Sequence, residues 1–418
     1  MTTLLIHNAS QLVTLAGPAR ARVGPEMTEL GIVPDGAVLA RDGRIEAVGS
    51  TTDVAPLAEP DTVRIDASGK VVAPGFVDAH THPVFAGSRA AEYELRIKGA
   101  TYEEIAAAGG GIRNTVRLTR QASEDELVAI ARRHAMTFLV HGTTTIEAKS
   151  GYGLTVDDEM KQLRALGRVA RETPIEISPT LLGAHEFPDE YRDRRDEYVR
   201  LVIDEMIPRA AAEGLAESCD VFCESHVFTV GDARRVLTAA RAHGLVPRFH
   251  ADQLTRSGGT ELAIEVGAAS ADHLEQLDDA GVEAIATSGV SAVLLPGSVF
   301  NLGLSRYAPA RRLIEAGAKV VLATDFNPGS SPVASMQMVM TLACTQMRML
   351  PSEAFVASTV NPAYALGRGE RVGTLEVGKQ ADMVVFDVAD YRAIPYFFGV
   401  NHARTVVKRG VVVAAPLR

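Results

Sequence analysis

The stretch Ala73-Pro-Gly-Phe-Val-Asp-Ala-His-Thr-His82 ends an apolar run with two histidines that stand two residues apart. Pro74 and Gly75 favour a strand over a helix, because a proline inside a helix removes a backbone donor and clashes with the preceding turn. Residues i and i+2 of a strand point to the same face. We therefore expect His80 and His82 to direct both imidazoles to one point, where a divalent metal ion is the usual occupant.

The composition is that of a folded globular protein. The chain has 418 residues, of which 46% are hydrophobic and 22% charged. This length suits one large domain with a smaller one, or two to three ordinary domains. The net charge of −10 argues against a nucleic acid or an anionic membrane as partner, because both require a basic surface.

The N-terminus and the cysteines indicate a cytoplasmic protein. The first residues lack the basic segment and long apolar run of a signal peptide. No apolar run approaches the ~18 residues of a membrane-spanning helix. Cys219, Cys223 and Cys344 are odd in number and too few for a disulfide framework. We interpret Cys219 and Cys223 as thiols of the apolar core.

Residues 71–370 alternate between short apolar runs and longer segments with apolar residues at helical spacing. The longer segments, which we predict to be helices, include Glu124–Val140, Val156–Glu172 and Arg192–Glu213. The predicted strands are Val71–Val77, Thr143–Ile146, Ile175–Leu182, Ser218–Phe222, Val246–Phe249, Ser270–Asp272, Ala292–Leu295 and Lys319–Leu322. This α/β alternation indicates a (β/α)8 TIM barrel. A doubly wound open sheet is the alternative, but no Gly-x-Gly-x-x-Gly follows an early strand, which weakens a dinucleotide-binding version.

Both ends of the chain contain short strands separated by Gly, Pro, Asn and Asp. Neither end has enough strands for a stable sheet alone, but together they could form one small β-sandwich. We therefore predict that residues 1–70 and 371–418 form the two parts of a small β-sandwich domain. Residues 71–370 would form the barrel.

Several histidines and one aspartate stand near the ends of the predicted barrel strands. They are His80, His82, His185, His250, His273 and Asp325. The carboxyl ends of barrel strands meet at one mouth, where catalytic residues lie. His80, His82, His250 and Asp325 then provide three nitrogens and one oxygen, a set that suits Zn or Fe and leaves a position for water.

This ligand set predicts hydrolytic chemistry. Water on such a metal ion loses a proton near pH ~7 rather than ~16 and becomes a nucleophile. Asp325 is expected to bind the metal, accept the proton and pass it to a leaving nitrogen. His273 would polarise the attacked carbonyl or orient the hydroxide, or else act indirectly by orienting a neighbouring group.

Four short strings resemble the amidohydrolase superfamily. They are Pro74–His82, His250-Ala-Asp, Ala271-Asp-His273 and Thr324-Asp-Phe-Asn-Pro-Gly329. Five longer strings, in this order, resemble the imidazolonepropionase family within it: Thr81-His-Pro-Val-Phe-Ala-Gly-Ser-Arg89, Gly109-Gly-Gly-Ile112, Lys149-Ser-Gly-Tyr-Gly153, Leu182-Gly-Ala-His185 and Phe222-Cys-Glu224. The resemblance covers nearly the whole chain, including the predicted sandwich.

The resemblance implies a hydrolase of carbon–nitrogen bonds in cyclic amides, which converts 4-imidazolone-5-propanoate to N-formimidoyl-L-glutamate in histidine degradation. It also implies a homodimer with one Zn or Fe ion per chain. The substrate carries a carboxylate tail, which the planar fork of Arg89 matches. By resemblance, the imidazolone is contacted by Arg89, Tyr152 and His185, and the product by Asn327 and Gly329. Ser330 stands where relatives often carry threonine, and its hydroxyl can also donate.

The chain departs from the family pattern at Gln253. Relatives often carry glutamate three residues after the histidine of strand five, and glutamine cannot accept a proton at neutral pH. If that glutamate acts as a base, Asp325 or His273 must replace it here. We interpret Gln253 as an amide that orients the substrate.

A second departure concerns the number of metal ions. Glu224 stands at the end of strand four, where a bridging lysine would mark a two-metal relative. This favours one metal ion. Lys149, after strand two, could pair with Glu224 or with Glu147.

Two other functions remain open from the residues. One is a different amidohydrolase, either a hydantoin-type ring opener or an aminopurine or aminopyrimidine deaminase. A deaminase has little use for Arg89. The other is a non-catalytic barrel that serves as a scaffold, but such relatives tend to lose metal ligands, and all four predicted ligands are present here.

Overall fold

The computed structural model describes residues 3–100, 104 and 110–414, so Gly109 of the glycine string lies outside the described residues. The strands are β1 (Thr3–Ala9), β2 (Gln11–Val13), β3 (Ile32–Val33), β4 (Gly36–Arg41), β5 (Arg44–Ser50), β6 (Val63–Asp66), β7 (Val71–Pro74), β8 (Phe76–Asp78), β9 (Thr143–Lys149), β10 (Glu176–Ala184), β11 (Ser218–Val221), β12 (Val246–Ala251), β13 (Ser270–His273), β14 (Ser291–Leu294), β15 (Lys319–Leu322), β16 (Met383–Phe386), β17 (Ala403–Lys408) and β18 (Val411–Ala414).

Helices follow most of the barrel strands. The α-helices span Thr51–Val54, Ala90–Ile97, Ile112–Gln121, Glu124–Val140, Val156–Glu172, Arg195–Leu201, Ile207–Ala212, Val230–Ala242, Gly259–Glu265, Asp279–Ser288, Pro296–Asn301, Ala310–Glu315, Met336–Met347, Pro351–Ala357, Val360–Ala365 and Ala393–Tyr396. A π-helical segment spans Val202–Met206, and 3-10 turns span Gly24–Thr28, Ala55–Leu57 and Asp189–Tyr191. Within the described ranges, no helix has the length and apolar character needed to cross a membrane.

Strands β8 to β15 form one eight-stranded sheet in sequence order, and each strand runs parallel to the next. The first and last strands meet just past their ends, where Asp325 N donates to His80 O at 3.1 Å and His82 N to Phe326 O at 2.8 Å. The Asp78 carboxylate also accepts from Thr324 N and Oγ1, at 3.0 and 2.6 Å. The predicted (β/α)8 barrel is confirmed, and the open sheet is not.

The apolar run Val71–Val77, which the sequence predicted as a single strand, is divided at Gly75. Strand β7 before it pairs with β2 and β16 in a flanking sheet, whereas β8 after it is the first barrel strand. Gly75 N donates to Asp382 O, and a Cβ atom at this position would collide with the side chain of Thr144. The absence of a side chain therefore lets the chain pass between two sheets here. The division of the chain at residues 70 and 370 stays a prediction.

Strands from both ends of the chain form the two flanking sheets. Their orders are β5-β4-β1-β6 and β18-β17-β16-β7-β2-β3. Leu4 and Ile6 of β1 share one face and are buried in a common cluster with Met383 of β16 and Val407 of β17. This confirms the predicted β-sandwich built from both termini.

Helix ends follow the local sequence where capping residues are present. The predicted bounds Glu124–Val140 and Val156–Glu172 are both confirmed. Ser123 forms a reciprocal cap with Glu126, in which each side chain accepts from the other's backbone N–H. The segment Arg192–Glu213, expected as one helix, is broken by the π-helical turn that precedes Pro208, because proline lacks the backbone N–H that continues an α-helix.

Candidate active site

His80 and His82 follow β8 at the carboxyl end of the barrel and meet Asp325, which follows β15. The Nε2 atoms of the two histidines are 3.2 Å apart, and Asp325 Oδ1 lies 3.6 Å from each of them. Ligands that stand ~2.1 Å from a metal ion at the corners of a tetrahedron are ~3.4 Å apart. The three buried atoms are thus spaced as ligands of one ion would be.

His250, at the end of β12, joins the same cluster. Its ring centroid lies 4.5 Å from that of His80 and 5.7 Å from that of His82. Its Nδ1 lies 3.0 Å from Asp220 Oδ2, which leaves Nε2 free. A ligand atom of His250 is within 4.8 Å of ligand atoms of His80 and His273. The structure therefore places His80 within reach of His82 and Asp325 on one side and of His250 and His273 on the other, and binding of one ion by His80, His82, His250 and Asp325 stays a prediction.

The chemistry of this cluster fits a metal ion. Burial lowers the pKa of His80 and His82 well below the ordinary value. Burial also lowers the pKa of His250 to about 4, against the opposing charge of Asp220. Neutral imidazoles are the form that binds metal. Burial raises the pKa of Asp325 to about 6, and a cation on its carboxylate would offset this cost of burying the charge.

Asp272 and Asp220 lie beside Nδ1 of His80 and of His250, on the side of each ring away from Nε2. The sequence analysis did not predict these two partners. Asp272 Oδ2 is hydrogen-bonded to His80 Nδ1 at 2.6 Å. Asp220 Oδ1 accepts from the backbone N–H of Val221 at 2.7 Å and of His250 at 3.2 Å. Such partners fix the tautomer and orientation of ligating histidines. The available signal was a carboxylate inside each of two otherwise apolar buried strands.

His273 ends β13 in an unusual backbone conformation, with φ of 83°. A left-handed non-glycine residue is uncommon and tends to occur at functional sites. Its Nδ1 lies 3.5 Å from Glu275 Oε1. Burial opposes protonation, but Glu275 and then Asp325 and Asp272 raise the pKa of His273 above the ordinary value. This side chain is suited to donate a hydrogen bond into the cluster.

The first turns of the helix Val156–Glu172 hold the loop that carries Tyr152. The Glu159 carboxylate accepts from the N–H groups of Gly151, Gly153 and Leu154, at 2.7 to 2.9 Å. Gln162 Oε1 accepts from Tyr152 N at 3.1 Å. Burial raises the pKa of the Tyr152 hydroxyl, so it remains protonated and able to donate.

His185 stands between Tyr152 and the cluster. Its ring is stacked on His82 at 5.4 Å and lies 5.3 Å from the Tyr152 ring. His185 Nδ1 lies 2.9 Å from Gly151 O, which can only accept, so Nδ1 carries the proton and Nε2 is an acceptor. Burial lowers the pKa of His185 to about 4, which keeps the ring neutral at pH 7.

Asn327 shapes the loop after Asp325. Its Oδ1 accepts from the N–H groups of Gly329 at 2.8 Å and Ser330 at 2.7 Å, while its Nδ2 donates to Asp325 O at 2.7 Å. Arg89 packs against this loop, because a Cβ atom at Gly329 would collide with Arg89 Nη1.

The Arg89 guanidinium lines a cavity of about 460 Å³. Its Nε donates to Glu92 Oε2 at 2.7 Å. The Nη atoms therefore face the Gly329 loop and the cavity, where an incoming carboxylate could be bound.

Gln253 lies outside the cluster of predicted metal ligands. Its amide side chain is half-buried and makes no hydrogen bond to the predicted metal ligands. It lines a separate cavity of about 230 Å³ together with Glu275 and Arg306. The position places it beside the partner of His273 rather than beside Asp325.

The pairing of Lys149, which the sequence left open, is with Glu147. Lys149 Nζ donates to Glu147 Oε1 at 2.8 Å. Glu224 instead accepts from Leu254 N at 2.7 Å and from Thr255 Oγ1 at 2.6 Å. The pairing with Glu224 was wrong, because Glu224 lies beyond the strand end and holds the loop after β12.

Known proteins resemble this chain over nearly its whole length. The profile of the amidohydrolase family matches residues 71–413. The imidazolonepropionase of Solibacter usitatus is 56% identical over 98% of both chains, and that of Geobacillus kaustophilus is 52% identical over 99% of this chain and 98% of its own.

Solved structures with the same fold are far less similar in sequence. A triazine hydrolase from Arthobacter aurescens superposes with a TM-score of 0.77 at 17% identity, covering 99% of this chain and 95% of its own. An adenosine deaminase from Xanthomonas campestris with bound zinc gives 0.73 at 20%, covering 99% and 93%. At these identities the likeness concerns the fold.

Proposed function

The chain belongs to the amidohydrolase family and, within it, to the imidazolonepropionases, and from this premise we propose that it hydrolyses 4-imidazolone-5-propanoate to N-formimidoyl-L-glutamate. The observation that carries the proposal is the cluster of His80, His82 and Asp325 at the barrel mouth, with the ring of His250 beside that of His80. In this reaction a water oxygen bonds to the ring carbonyl carbon, the carbon–nitrogen bond breaks, and the nitrogen takes a proton.

We propose that one Zn or Fe ion is held by His80, His82, His250 and Asp325. When bound, such an ion polarises the carbonyl and lowers the pKa of water, which makes water a nucleophile near neutral pH. Asp220 and Asp272 keep the imidazoles oriented for this role.

Arg89 and Tyr152 would orient the substrate. The free Nη atoms of Arg89 match the two oxygens of the propanoate tail. The Tyr152 hydroxyl donates to the ring or its substituent, and the neutral His185 accepts a ring N–H through Nε2. Asn327 fixes the N–H groups of Gly329 and Ser330 in one loop, and the Ser330 hydroxyl can turn to the opened product.

Asp325 is the residue best suited to move the proton. Its carboxylate oxygen Oδ1 lies 3.6 Å from Nε2 of both His80 and His82, so a water molecule bound at the same ion would be within its reach. It would take a proton from water and deliver it to the leaving nitrogen. Gln253 cannot do this, because an amide has no basic oxygen at neutral pH.

His273 would donate a hydrogen bond to the carbonyl oxygen of the substrate. Its imidazole is buried against Glu275, which favours a protonated nitrogen on the ring. A hydrogen bond from His273 to the carbonyl oxygen strengthens as negative charge develops there. We also propose an orienting role for Gln253, which lines a neighbouring cavity together with Glu275.

We also propose a homodimer that works in the cytoplasm without nucleic acid or membrane. Tyr396, Phe397, Phe398 and Val400 expose 74%, 56%, 69% and 58% of their surface, and such adjoining apolar side chains favour association. The charge of −10 disfavours nucleic acid. The cysteines are free, as a reducing compartment would keep them. Sedimentation of the wild-type chain and of Phe398→Asp tests the dimer, which the variant should weaken.

Metal analysis paired with an ultraviolet assay of imidazolone loss tests the function. We expect about one metal ion per chain, turnover of 4-imidazolone-5-propanoate, and none of guanine or a hydantoin. His250→Ala should lose both metal and turnover. Normal turnover by a metal-free His250→Ala protein, or preference for guanine, would contradict the proposal.

A further inference from the structure

Lys149 lies at the carboxyl end of β9, inside the barrel and beneath the predicted metal ligands. Its side chain is fully buried. Three carboxylates surround its Nζ atom: Asp220 Oδ2 at 2.7 Å, Glu147 Oε1 at 2.8 Å and Asp272 Oδ2 at 3.9 Å. These three side chains are fully buried as well, so each depends on protein groups for its solvation.

Two of these carboxylates are the ones that hold metal-binding histidines. Asp272 Oδ2, the oxygen nearest to Lys149, is also hydrogen-bonded to His80 Nδ1 at 2.6 Å. Asp220 Oδ2 lies between Lys149 Nζ and His250 Nδ1, at 2.7 and 3.0 Å. A series of close contacts between charged or polar groups, at 2.6 to 3.9 Å, therefore runs from His80 through Asp272, Lys149 and Asp220 to His250.

We propose that Lys149 is a positioning residue that holds Asp220 and Asp272 and thereby fixes His80 and His250 with Nε2 turned to the metal. The proposal rests on the ligand set assigned above. It adds that the two histidines, which come from β8 and β12, are oriented by one shared ammonium group rather than independently.

The charge balance of the cluster supports this role. Two buried carboxylates behind the histidines would repel each other without a cation. Asp220 Oδ1 would keep the backbone N–H groups of Val221 and His250, but Asp220 Oδ2, the oxygen that faces the imidazole of His250, would lose the ammonium beside it. The lysine ammonium is compact and has three donors, so it can serve several carboxylates from one position.

Arg248 of β12 provides a matched control. It is another buried cation of the barrel, and it donates to Ser218 Oγ, Ser270 Oγ and Ala365 O at 3.1 to 3.4 Å. In the part of the chain that the structure describes, it makes no ion pair with a carboxylate, although its charge acts on Asp272 from a greater distance. Its removal therefore tests the loss of a buried positive charge that contacts neither Asp220 nor Asp272.

The first experiment measures zinc affinity of the full chain stripped of metal, by competition with a chelator. Loss of a partner behind metal ligands typically lowers affinity about 10–100-fold, and we expect a loss of this size for Lys149→Met. Arg248→Met should bind zinc as the wild type does. If Lys149 acted on zinc only through its positive charge, which repels the ion, its removal would strengthen zinc binding. A zinc affinity of Lys149→Met that equals or exceeds the wild-type value would therefore overturn the proposal.

The second experiment reads the histidine tautomers by ¹⁵N NMR of the metal-free chain. We expect Nδ1–H at both His80 and His250 in the wild type, and a mixture with Nε2–H in Lys149→Met. Lys149→Gln keeps N–H donors and loses the charge. It replaces Lys149→Met in this measurement if the methionine variant does not fold. If neither variant folds, Nε2–H at either histidine of the wild type overturns the proposal.

The two proposals fail in different ways. A wild-type chain that binds no zinc or iron contradicts the proposed function. Normal zinc binding by the wild type together with unchanged tautomers in a folded Lys149→Met or Lys149→Gln variant contradicts only the role of Lys149.

Discussion

Gly329→Ala is expected to displace Arg89 without unfolding the protein. A Cβ atom at position 329 would collide with Arg89 Nη1 and lie 2.9 Å from Arg89 Cζ. The backbone of Gly329 is not left-handed, so alanine can adopt it. The colliding atoms belong to the far end of a flexible side chain, and the guanidinium will move rather than the loop, whose Gly329 N–H is held by Asn327.

The size of the effect follows from the interaction that Arg89 would lose. Hydrogen bonds to a charged group contribute about 1.5–3 kcal/mol. Since 1.4 kcal/mol is a factor of ten, kcat/KM should fall about 10–150-fold. The carboxylate tail lies away from the bond that breaks, so most of this loss should appear in KM and little in kcat.

Steady-state kinetics with 4-imidazolone-5-propanoate measure this prediction. Gly167→Ala is the matched control, because its added Cβ would meet only Arg171 Nη1 at 3.6 Å, on the helix Val156–Glu172. Gly329→Ala should also have no further effect in an Arg89→Ala background. An unchanged KM in a folded Gly329→Ala protein would refute the assignment of Arg89 to the tail.

Three other outcomes are expected. Gly75→Ala should destabilise the fold by about 1–3 kcal/mol through its clash with Thr144, and Thr144→Ala should restore most of the melting temperature; no recovery would show that the strain lies elsewhere. Zinc affinity of the metal-free chain should be constant above pH 6 and fall about tenfold per pH unit below it, because the pKa of Asp325 is raised to about 6 and its proton then competes with the ion. Asp325→Asn should flatten this dependence between pH 6 and 4, and a slope that persists would assign the proton to another group. Chelation should lower the melting temperature of the wild type, since an ion bound to the folded state alone stabilises it, and His250→Ala should show no such shift.

The sequence was most informative where a pattern is long or repeated. The helices Glu124–Val140 and Val156–Glu172 carry both apolar periodicity and capping residues, and their bounds were predicted correctly. The run Val71–Val77 was misjudged as one strand, because residues buried in the sandwich and residues buried in the barrel are equally apolar. Gly75 alone marked the division between them.

The candidate site shows the same limit. Strand ends predicted which of the histidines converge, since all carboxyl ends of a barrel meet at one face. The partners of these histidines were missed, because they come from other strands: Asp220 reaches His250 from the neighbouring strand β11, and Asp272 reaches His80 from β13 across the barrel interior. The side-chain position of Gln253 depends on the same three-dimensional reach, which residue spacing does not encode. The pairing of Lys149 with Glu147 could have been chosen from spacing, because the two residues are two apart on β9 and therefore share a face.

The junction between β8 and β15, the first and last strands of the barrel, has a consequence for when during synthesis the protein can bind its ion. Asp78 and Thr324, which are joined across it, are separated by 246 residues, and the histidines and aspartate that would share the ion stand beside them. During synthesis, His80 and His82 emerge long before Asp325. We therefore expect the nascent chain to acquire its ion late, as the step that locks the finished ring of strands, and truncated chains that lack β15 to leave the ribosome without it.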